Sequence, residues 1–445
     1  MQKKPLKDAL EQYRQENKAW FHTPSHKGRA PMLSLPQEAL QFDVTELPQT
    51  GSLFDGTGPF AEAEHLAAHF FGTEGTFFSA GGCTLCIQAM LQLTAGKSGK
   101  VVCGRLLHRS AVHTMALLGL EPVWIWNRVD AGGGLPGRIS PEDVREALRK
   151  EPDACAVYIT SPDYYGVLSD IAGISRAAEE FGVPVIVDNA HGSHLWFVGE
   201  HLHPLEQGAA MSADSAHKTF PVLTGGAWLQ VGRREYIPYV KNAMSLFAST
   251  SPSYLTMLSL DECRAWLEQE GRQAYGSLAE RAAEMKASFV DMGYGIPLGI
   301  CDPIRLTLRT ADRGISGTQA ADFLRRNGIE PEYADEEWIV LIPSPMNEEK
   351  DFVRLQKALA KMPQGFSKVR QEQISCIPKQ EMPLRTAVLS ASEMVPVEKS
   401  CGRVSAETAC PCPPGVPVVM PGEKIDRSMV QFLLNYGISE IKVVK

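Results

Sequence analysis

Long apolar runs are missing from this sequence, because charged or polar residues interrupt every run well before the roughly 18 residues of a transmembrane helix. The N-terminal stretch MQKKPLKDALEQYRQENKAW is basic at first but has no apolar core, unlike a secretory signal. An excess of positive charge is also missing, since 44 Lys and Arg stand against 52 Asp and Glu. We therefore expect a cytoplasmic protein that binds neither nucleic acid nor a membrane surface.

Paired cysteine motifs are scarce, although the 445 residues include ten cysteines. In a large chain without a secretory signal, scattered cysteines are expected to be reduced thiols. Cys83 and Cys86 have the spacing of half a zinc site, but no second pair has a matching spacing. We interpret this pair as part of a packed helix and expect no metal.

Strand and helix patterns alternate along most of the chain. A short strand pattern in GTFFSAGG (75–82) precedes a helical one in CTLCIQAMLQLT (83–94), and ACAVYIT (154–160) and VPVIVDNA (183–190) are continuous apolar strands. Continuous apolar strands between helices predict an α/β fold whose mostly parallel sheet is covered on both faces. A smaller second domain is expected to begin near residue 290, in a smaller α+β C-terminal part of the chain.

The segment SADSAHKTFPVLTGG (212–226) places Lys218 between a strand pattern and a double glycine. Asp188 ends another strand pattern thirty residues upstream, and functional groups gather at the carboxyl ends of parallel strands. The segment SAGGCTLC (79–86) joins a strand to a helix through glycines, a geometry that can bind a phosphate. Taken singly, each feature is equally a polar turn, a capping aspartate or a simple loop.

Together, these features are those that pyridoxal phosphate requires of a protein. A lysine forms an imine with its aldehyde, an acid keeps its ring nitrogen protonated, and backbone amides hold its phosphate. An aromatic side chain commonly stacks on the ring, and His108, in GRLLHRSAVH, follows another strand pattern. The combination is far more specific than any one of its parts.

The chain resembles the ornithine/lysine/arginine decarboxylase family of fold-type-I pyridoxal-phosphate enzymes over most of its length. The resemblance is carried by these segments: FHTPSHKG, FDVTELPQTGSL, FFSAGGCTLCIQAML, LHRSAVHTMALLG, YITSPDYYGVLSDI, VIVDNAHGSHLWF, DSAHKTFPVLTGGAWL, TSPSYLTMLSLDECRAW and CGRVSAETACPCPPGVPVVMPGE. It implies a fold-type-I transferase-like large domain over 1–290, a small α/β domain over 291–365 and the family's C-terminal domain over 366–445. The chain resembles a short member without the N-terminal wing domain of the long enzymes.

The resemblance also implies an activity, the α-decarboxylation of arginine, lysine or ornithine to a polyamine-precursor amine and CO2. The small-molecule substrate is a basic amino acid, and the enzyme is a homo-oligomer, at least a dimer. Lys218 is the Schiff-base lysine, Asp188 pairs with the ring nitrogen, and Ala190 and His108 lie on the two faces of the ring. The implied phosphate-end residues are Gly82, Cys83, Thr84, Ser215, His217 and, across a dimer interface, Thr250.

Substrate contacts are implied for His26 and Lys27 near the entrance, and for Glu332, whose carboxylate pairs with the substrate's side-chain cation. The chain departs from the family pattern at Cys83, where a hydroxyl residue is commoner, and in the loop QTGSLFDG, where many members carry an acid. Both departures leave open which side chains contact the phosphate and the substrate.

Two other functions are compatible with the same residues. An aminotransferase or lyase shares the lysine, the acid and the phosphate turn, and an aminotransferase normally binds the substrate α-carboxylate with an arginine such as Arg305 or Arg309. A cofactor-binding regulatory protein with weak activity is the third possibility, although it does not need the complete set of residues. Release of CO2 separates the decarboxylase from both.

Overall fold

A computed structural model describes residues 2–96, 99–126, 135, 138–365, 378–409, 417–435 and 437–445. Within these ranges no helix is both long and apolar enough to span a bilayer. The seven cysteines in the described part of the chain are free thiols. The other three, Cys376, Cys410 and Cys412, lie outside the described residues.

The described residues form helices and strands that alternate along the chain. The α-helices are α1 Pro5–Gln15, α2 Gln37–Phe42, α3 Gly58–Phe71, α4 Gly82–Thr94, α5 Arg109–Leu118, α6 Pro141–Lys150, α7 Ile171–Glu179, α8 Ala216–Thr219, α9 Val240–Ser245, α10 Tyr254–Trp266, α11 Arg272–Asp291, α12 Gly317–Arg326, α13 Glu349–Lys361, α14 Leu384–Leu389 and α15 Arg427–Asn435. The strands are β1 Gly75–Ser79, β2 Lys100–Gly104, β3 Glu121–Ile125, β4 Ala156–Thr160, β5 Val185–Asp188, β6 Met211–Asp214, β7 Ala227–Val231, β8 Leu306–Arg309, β9 Tyr333–Ala334, β10 Trp338–Leu341, β11 Ser392–Pro396 and β12 Glu440–Val444.

Seven strands form the main sheet, in the order β1-β7-β6-β5-β4-β2-β3. Strand β5 is parallel to β6, and β2 is parallel to both β3 and β4, whereas β7 is antiparallel to β6 and β1. Every residue of β5, β6 and β7 is buried, as expected for strands covered on both faces. The predicted α/β fold with a mostly parallel sheet is confirmed.

The chain divides into two compact units, of which the first comprises Met1–Leu93 and Ile186–Ser277. This unit contains β1, β6, β7 and nearly all of β5, together with α1 to α3 and the short helix α8. Buried aromatic side chains fill part of its interior, because the Trp228 ring contacts those of Phe71, Phe78 and Phe220. Phe220 directly follows the short helix α8 that carries Lys218, so this packing lies next to that turn.

The second unit comprises Thr94–Val185 and Leu278–Lys445 and contains two smaller antiparallel sheets. In one, β10 lies between β8 and β9, and its apolar core includes Phe289, Leu324 and Leu359 from helices α11, α12 and α13. In the other, β11 pairs with β12, and their core includes Leu433 of α15. The predicted smaller α+β part is confirmed, while the domain limits 1–290, 291–365 and 366–445 stay a prediction.

Candidate active site

Lys218 lies in a single helical turn, α8, that begins two residues after β6 ends. The turn closes back on the start of β7, because the His217 N–H donates to the Gly226 carbonyl at 3.1 Å and the His217 Nδ1 lies 3.1 Å from the same oxygen. Ser215 is buried, and its Oγ lies 3.3 Å from the His217 Nδ1. A Cβ on Gly226 would stand 2.3 Å from the Val222 Cγ1, so close packing explains this glycine.

Asp188 is the last residue of β5 and is only 2% exposed. Because β5 is parallel to β6, with Asp188 opposite Ala213, the aspartate and the lysine turn follow the carboxyl ends of adjacent strands. The Asp188 Oδ1 accepts the N–H of Ala190 at 3.2 Å, and Ala190 itself is buried. The structure thus places the two principal predicted residues at one edge of the sheet.

His191 is a candidate site residue that the sequence analysis missed. It is 7% exposed, and its Nε2 lies 3.0 Å from the Lys218 Nζ. The one available signal was its position three residues after Asp188, in the turn that leaves β5. Residues in such a turn follow no strand periodicity, so the pattern alone does not predict where the side chain lies.

A buried hydrogen-bond network supports the turn after β5. The Asp214 Oδ1 accepts from the Asn189 Nδ2 at 2.8 Å and from the Ser212 Oγ at 2.6 Å. The Asp214 Oδ2 lies 2.9 Å from the Nε2 of His203, whose ring stacks on Trp196 with 3.9 Å between centroids. Three partners around one buried carboxylate explain how a charged group is tolerated there.

Two glycine turns meet at the start of α4. The Gly82 N–H donates to the Gly225 carbonyl at 2.8 Å, and both glycines have positive φ, +63° and +91°. The Ser79 Oγ accepts the Gly81 N–H at 3.1 Å and donates to the Gly82 carbonyl at 3.0 Å, which fixes the turn. Cys83 and Thr84 contribute the next two amides of α4, and amides in the first turn of a helix can bind a phosphate.

Cys83 occupies a buried position in the first turn of α4, while Thr84 is exposed. Burial raises the pKa of the Cys83 thiol well above its usual value, and the charges of Cys86 and Asp188 raise it further. The Cys83 side chain is therefore a neutral thiol at neutral pH. A neutral group beside an anion site adds no repulsion, so this departure from the family pattern is compatible with phosphate binding.

The other predicted residues of the first unit lie in surface segments. The His26 Nε2 lies 3.1 Å from the Asp43 Oδ2, and the Lys27 Nζ donates to the His22 carbonyl. Both side chains therefore bond within the 22–43 segment. Thr250 is exposed.

The remaining predicted residues belong to the second unit. His108 is exposed and caps α5, because its Nδ1 accepts the Ser110 N–H at 3.2 Å. Glu332 is exposed, and its Oε1 accepts the Tyr164 hydroxyl at 2.5 Å. The roles predicted for these two residues stay predictions.

Both arginines considered for an aminotransferase lie near carboxylates. The Arg305 Nε lies 3.5 Å from Asp302 Oδ2, and the Arg309 Nη2 lies 3.2 Å from Glu337 Oε2. Arg305 is almost completely buried. Both guanidinium groups therefore already lie near a carboxylate of the protein, unlike an arginine that is accessible to a substrate carboxylate.

Comparison with known families identifies the chain. The model of the Orn/Lys/Arg decarboxylase major domain matches residues 4–298, and the model of that family's C-terminal domain matches residues 364–439. The chain belongs to the Orn/Lys/Arg decarboxylase family. The resemblance found from the motifs is thereby confirmed.

The sequence similarity to individual relatives covers nearly the whole decarboxylase chain. It is 32% identical to the uncharacterized protein YaaO of Bacillus subtilis over 451 residues, covering 96% of this chain and 93% of that one. It is 30% identical to the arginine decarboxylase of the same organism over 461 residues, covering 97% and 93%. The solved constitutive lysine decarboxylase of Escherichia coli has the same fold, with a TM-score of 0.84 at 20% identity, covering 100% of this chain and 82% of that one.

The protein is a decarboxylase of basic amino acids, and its cofactor is pyridoxal phosphate. The residues present fit this group. Lys218 and the buried Asp188 lie at neighbouring strand ends. Gly82 and Gly225 adopt backbone conformations that side chains rarely allow, at and beside the first turn of α4.

Proposed function

We propose that this decarboxylase acts on arginine first and lysine second, with ornithine as a weaker substrate. The near full-length likeness to a relative named arginine decarboxylase supports this order. The placement of Asp188 at the end of β5 and of Lys218 in the turn that follows the adjacent parallel strand β6 carries the proposed chemistry, because it supplies the acid and the covalent anchor from one sheet edge.

Asp188 and the first turn of α4, both in the first unit, have defined tasks in this proposal. Bound pyridoxal phosphate supplies the electron sink for the electron pair left when the bond between Cα and the carboxylate breaks. Asp188 keeps a proton on the cofactor's ring nitrogen through its buried negative charge. The amides at the start of α4 bind the phosphate.

His191 is proposed to move a proton at Lys218. Its Nε2 lies 3.0 Å from Nζ, within hydrogen-bond distance. The nitrogen of a lysine forms a covalent bond to a carbonyl carbon only when it has a free electron pair. The ammonium form must therefore first lose a proton. His191 accepts that proton and returns it when Lys218 is released again.

The substrate's side-chain cation is proposed to bind Glu332. Burial and the negative charge of Glu332 both raise the pKa of Tyr164, so its hydroxyl remains a donor and holds the carboxylate in place. The Tyr164 ring also contacts Tyr333 edge-on, with 5.1 Å between centroids. A carboxylate with aromatic neighbours favours a positively charged partner, because it repays the cost of desolvating the cation.

We also propose that the enzyme is a cytoplasmic homodimer, or a larger even-numbered assembly, whose product is a polyamine precursor. The segment that ends at Thr250 exposes the large side chains of Tyr239 and Leu246, at 63% and 60%. Neighbouring exposed apolar side chains are typical of subunit contacts. In that assembly Thr250 reaches the partner's cofactor.

A substrate panel tests the proposal. Purified enzyme with added pyridoxal phosphate is given arginine, lysine, ornithine, glutamate and leucine, and both CO2 and the amine are measured. We expect arginine to have the highest kcat/KM and the two non-basic amino acids the lowest. Faster turnover of leucine or glutamate contradicts the substrate class, and a keto acid product without CO2 contradicts the reaction.

A further inference from the structure

A buried arginine links the C-terminal part of the chain to the segment that carries His108. Arg105 directly follows β2, is fully buried, and stands three residues before His108. Its Nη2 donates to the Glu423 Oε2 at 2.9 Å and its Nη1 to the Oε1, so the guanidinium and the carboxylate form a two-point contact. The rings of Trp124 and Trp126 lie 5.6 and 5.3 Å from the guanidinium carbon.

Glu423 is in turn fixed within the C-terminal segment, which we define as the described residues from 378 to 445. Its Oε2 accepts the Met420 N–H at 2.7 Å, and its backbone carbonyl accepts the Ser405 N–H at 2.9 Å. Glu423 is itself fully buried. A two-point contact between buried groups allows little movement, because any shift would leave desolvated charges without partners.

The same segment also contacts the far end of α5. Arg385, in α14, donates from Nη1 to the carbonyls of Ala116 at 3.2 Å and Leu117 at 2.6 Å. These carbonyls belong to the last turn of α5, where backbone oxygens lack partners within the helix and a positive charge is favourable. The C-terminal segment therefore holds the residue before the His108 turn and the end of the helix that His108 caps.

We propose that the C-terminal segment positions His108 for its contact with the cofactor, through Arg105 at one end and Arg385 at the other. Because His108 is the N-cap of α5, a shift of either end of this helix moves its imidazole. Arg105, Arg385 and Glu423 are positioning residues that act through the backbone on which His108 stands. The inference rests on the proposed role of His108 beside the ring.

The test compares the full-length enzyme with its Glu423→Gln variant. Glutamine keeps the shape of the side chain but removes the charge that faces Arg105. We expect cofactor affinity to weaken by about 2- to 30-fold, the usual range for coupled positions. We also expect a weaker circular dichroism band of the bound cofactor and a lower kcat with little change in KM. In cofactor-free protein labelled with ¹⁵N-histidine, the ring resonance of His108 should shift. That resonance is assigned by its absence from the spectrum of the His108→Gln variant.

A matched control lies in the same segment. Glu393→Gln removes the exposed ion pair in which the Arg403 Nη2 lies 2.7 Å from the Glu393 Oε1. This variant should leave all four readouts at the wild-type values. If Glu423→Gln lowers thermal stability but leaves the His108 resonance, the dichroism band and the cofactor affinity unchanged, the ion pair is only structural and the proposal is wrong.

A second variant covers the case in which Glu423→Gln does not fold. Arg385→Gln removes the contact at the far end of α5 from an exposed position, so no buried charge is left without a partner. A shifted His108 resonance with weaker cofactor binding supports the proposal, and unchanged values overturn it. The resonance in the cofactor-free protein does not depend on which amino acid is decarboxylated, so failure of the proposed substrate is recognised separately, by the wild-type panel.

Discussion

Replacing Asp188 with asparagine isolates the charge at the end of β5. The side chain is 2% exposed, and its Oδ1 accepts the Ala190 N–H at 3.2 Å. Asparagine has nearly the same shape, and its carbonyl oxygen can accept the same hydrogen bond. The substitution therefore removes a buried negative charge and changes the surrounding packing little.

Burial of Asp188 determines how large the effect should be. Two opposite unit charges about 4 Å apart interact by about 4 kcal/mol at an effective dielectric constant of 20, against about 1 kcal/mol in bulk water. An amide retains a neutral hydrogen bond of about 1 kcal/mol. We therefore expect a loss of about 3 kcal/mol of transition-state stabilisation, which lowers kcat by about two orders of magnitude.

Steady-state CO2 release at saturating cofactor measures this loss, and visible absorbance checks that the cofactor is bound. Asp261→Asn is the matched control, because Asp261 is also a buried aspartate that accepts a backbone N–H, from Leu6 at 3.0 Å. It should reduce stability without the large decrease in kcat. A folded, cofactor-loaded Asp188→Asn enzyme with near wild-type kcat would refute the role of this charge.

Four further outcomes are expected. Lys218→Ala should abolish turnover and remove the visible absorbance of covalently bound cofactor, and retention of both contradicts its role. Glu332→Gln should raise KM for the basic substrate more than it lowers kcat, since the lost contact is remote from Cα. Unchanged kinetics would contradict the role of Glu332 but not the proposed substrate class. Light scattering should find a dimer or a larger even-numbered assembly, with lower cofactor affinity in Thr250→Ala, whereas a fully active monomer rules out the shared site. Burial raises the pKa of Asp163 from 3.8 to about 6, so its ionisation should lower the free energy of unfolding by up to about 3 kcal/mol as pH rises from about 4 to about 6. Urea unfolding across this range should show a smaller decrease in that free energy for Asp163→Asn than for the wild type. Parallel pH profiles of the two proteins would contradict this cause.

The principal parts of the site follow from local patterns in the sequence. Asp188 ends one short buried strand and Lys218 follows another, and the carboxyl ends of two parallel strands meet at one edge of the sheet. The turn at Gly82 is visible because only glycine readily adopts its backbone conformation. Strand period, chain direction and glycine content are local properties, and these parts could therefore be predicted.

Contacts between distant side chains could not be predicted in this way. The partners Asp214 and His203 share one carboxylate–imidazole contact deep in the first unit. Any of the eleven histidines could have been the one beside Lys218, and composition does not distinguish His191 from the others. Such pairs depend on how the turns after the strands are packed, which no periodicity records.

The sequence by itself determined the α/β fold and the cofactor class and proposed Lys218 and Asp188 as cofactor residues, because each of these depends on a short segment whose chemistry is largely independent of the rest. Only the tertiary structure decided that His191 lies beside Lys218 and that Glu423 pairs with Arg105 across 318 residues of chain. A buried charge requires a partner but does not specify its position in the sequence. Packing selects that partner, since only the folded chain brings the two buried groups within hydrogen-bond distance.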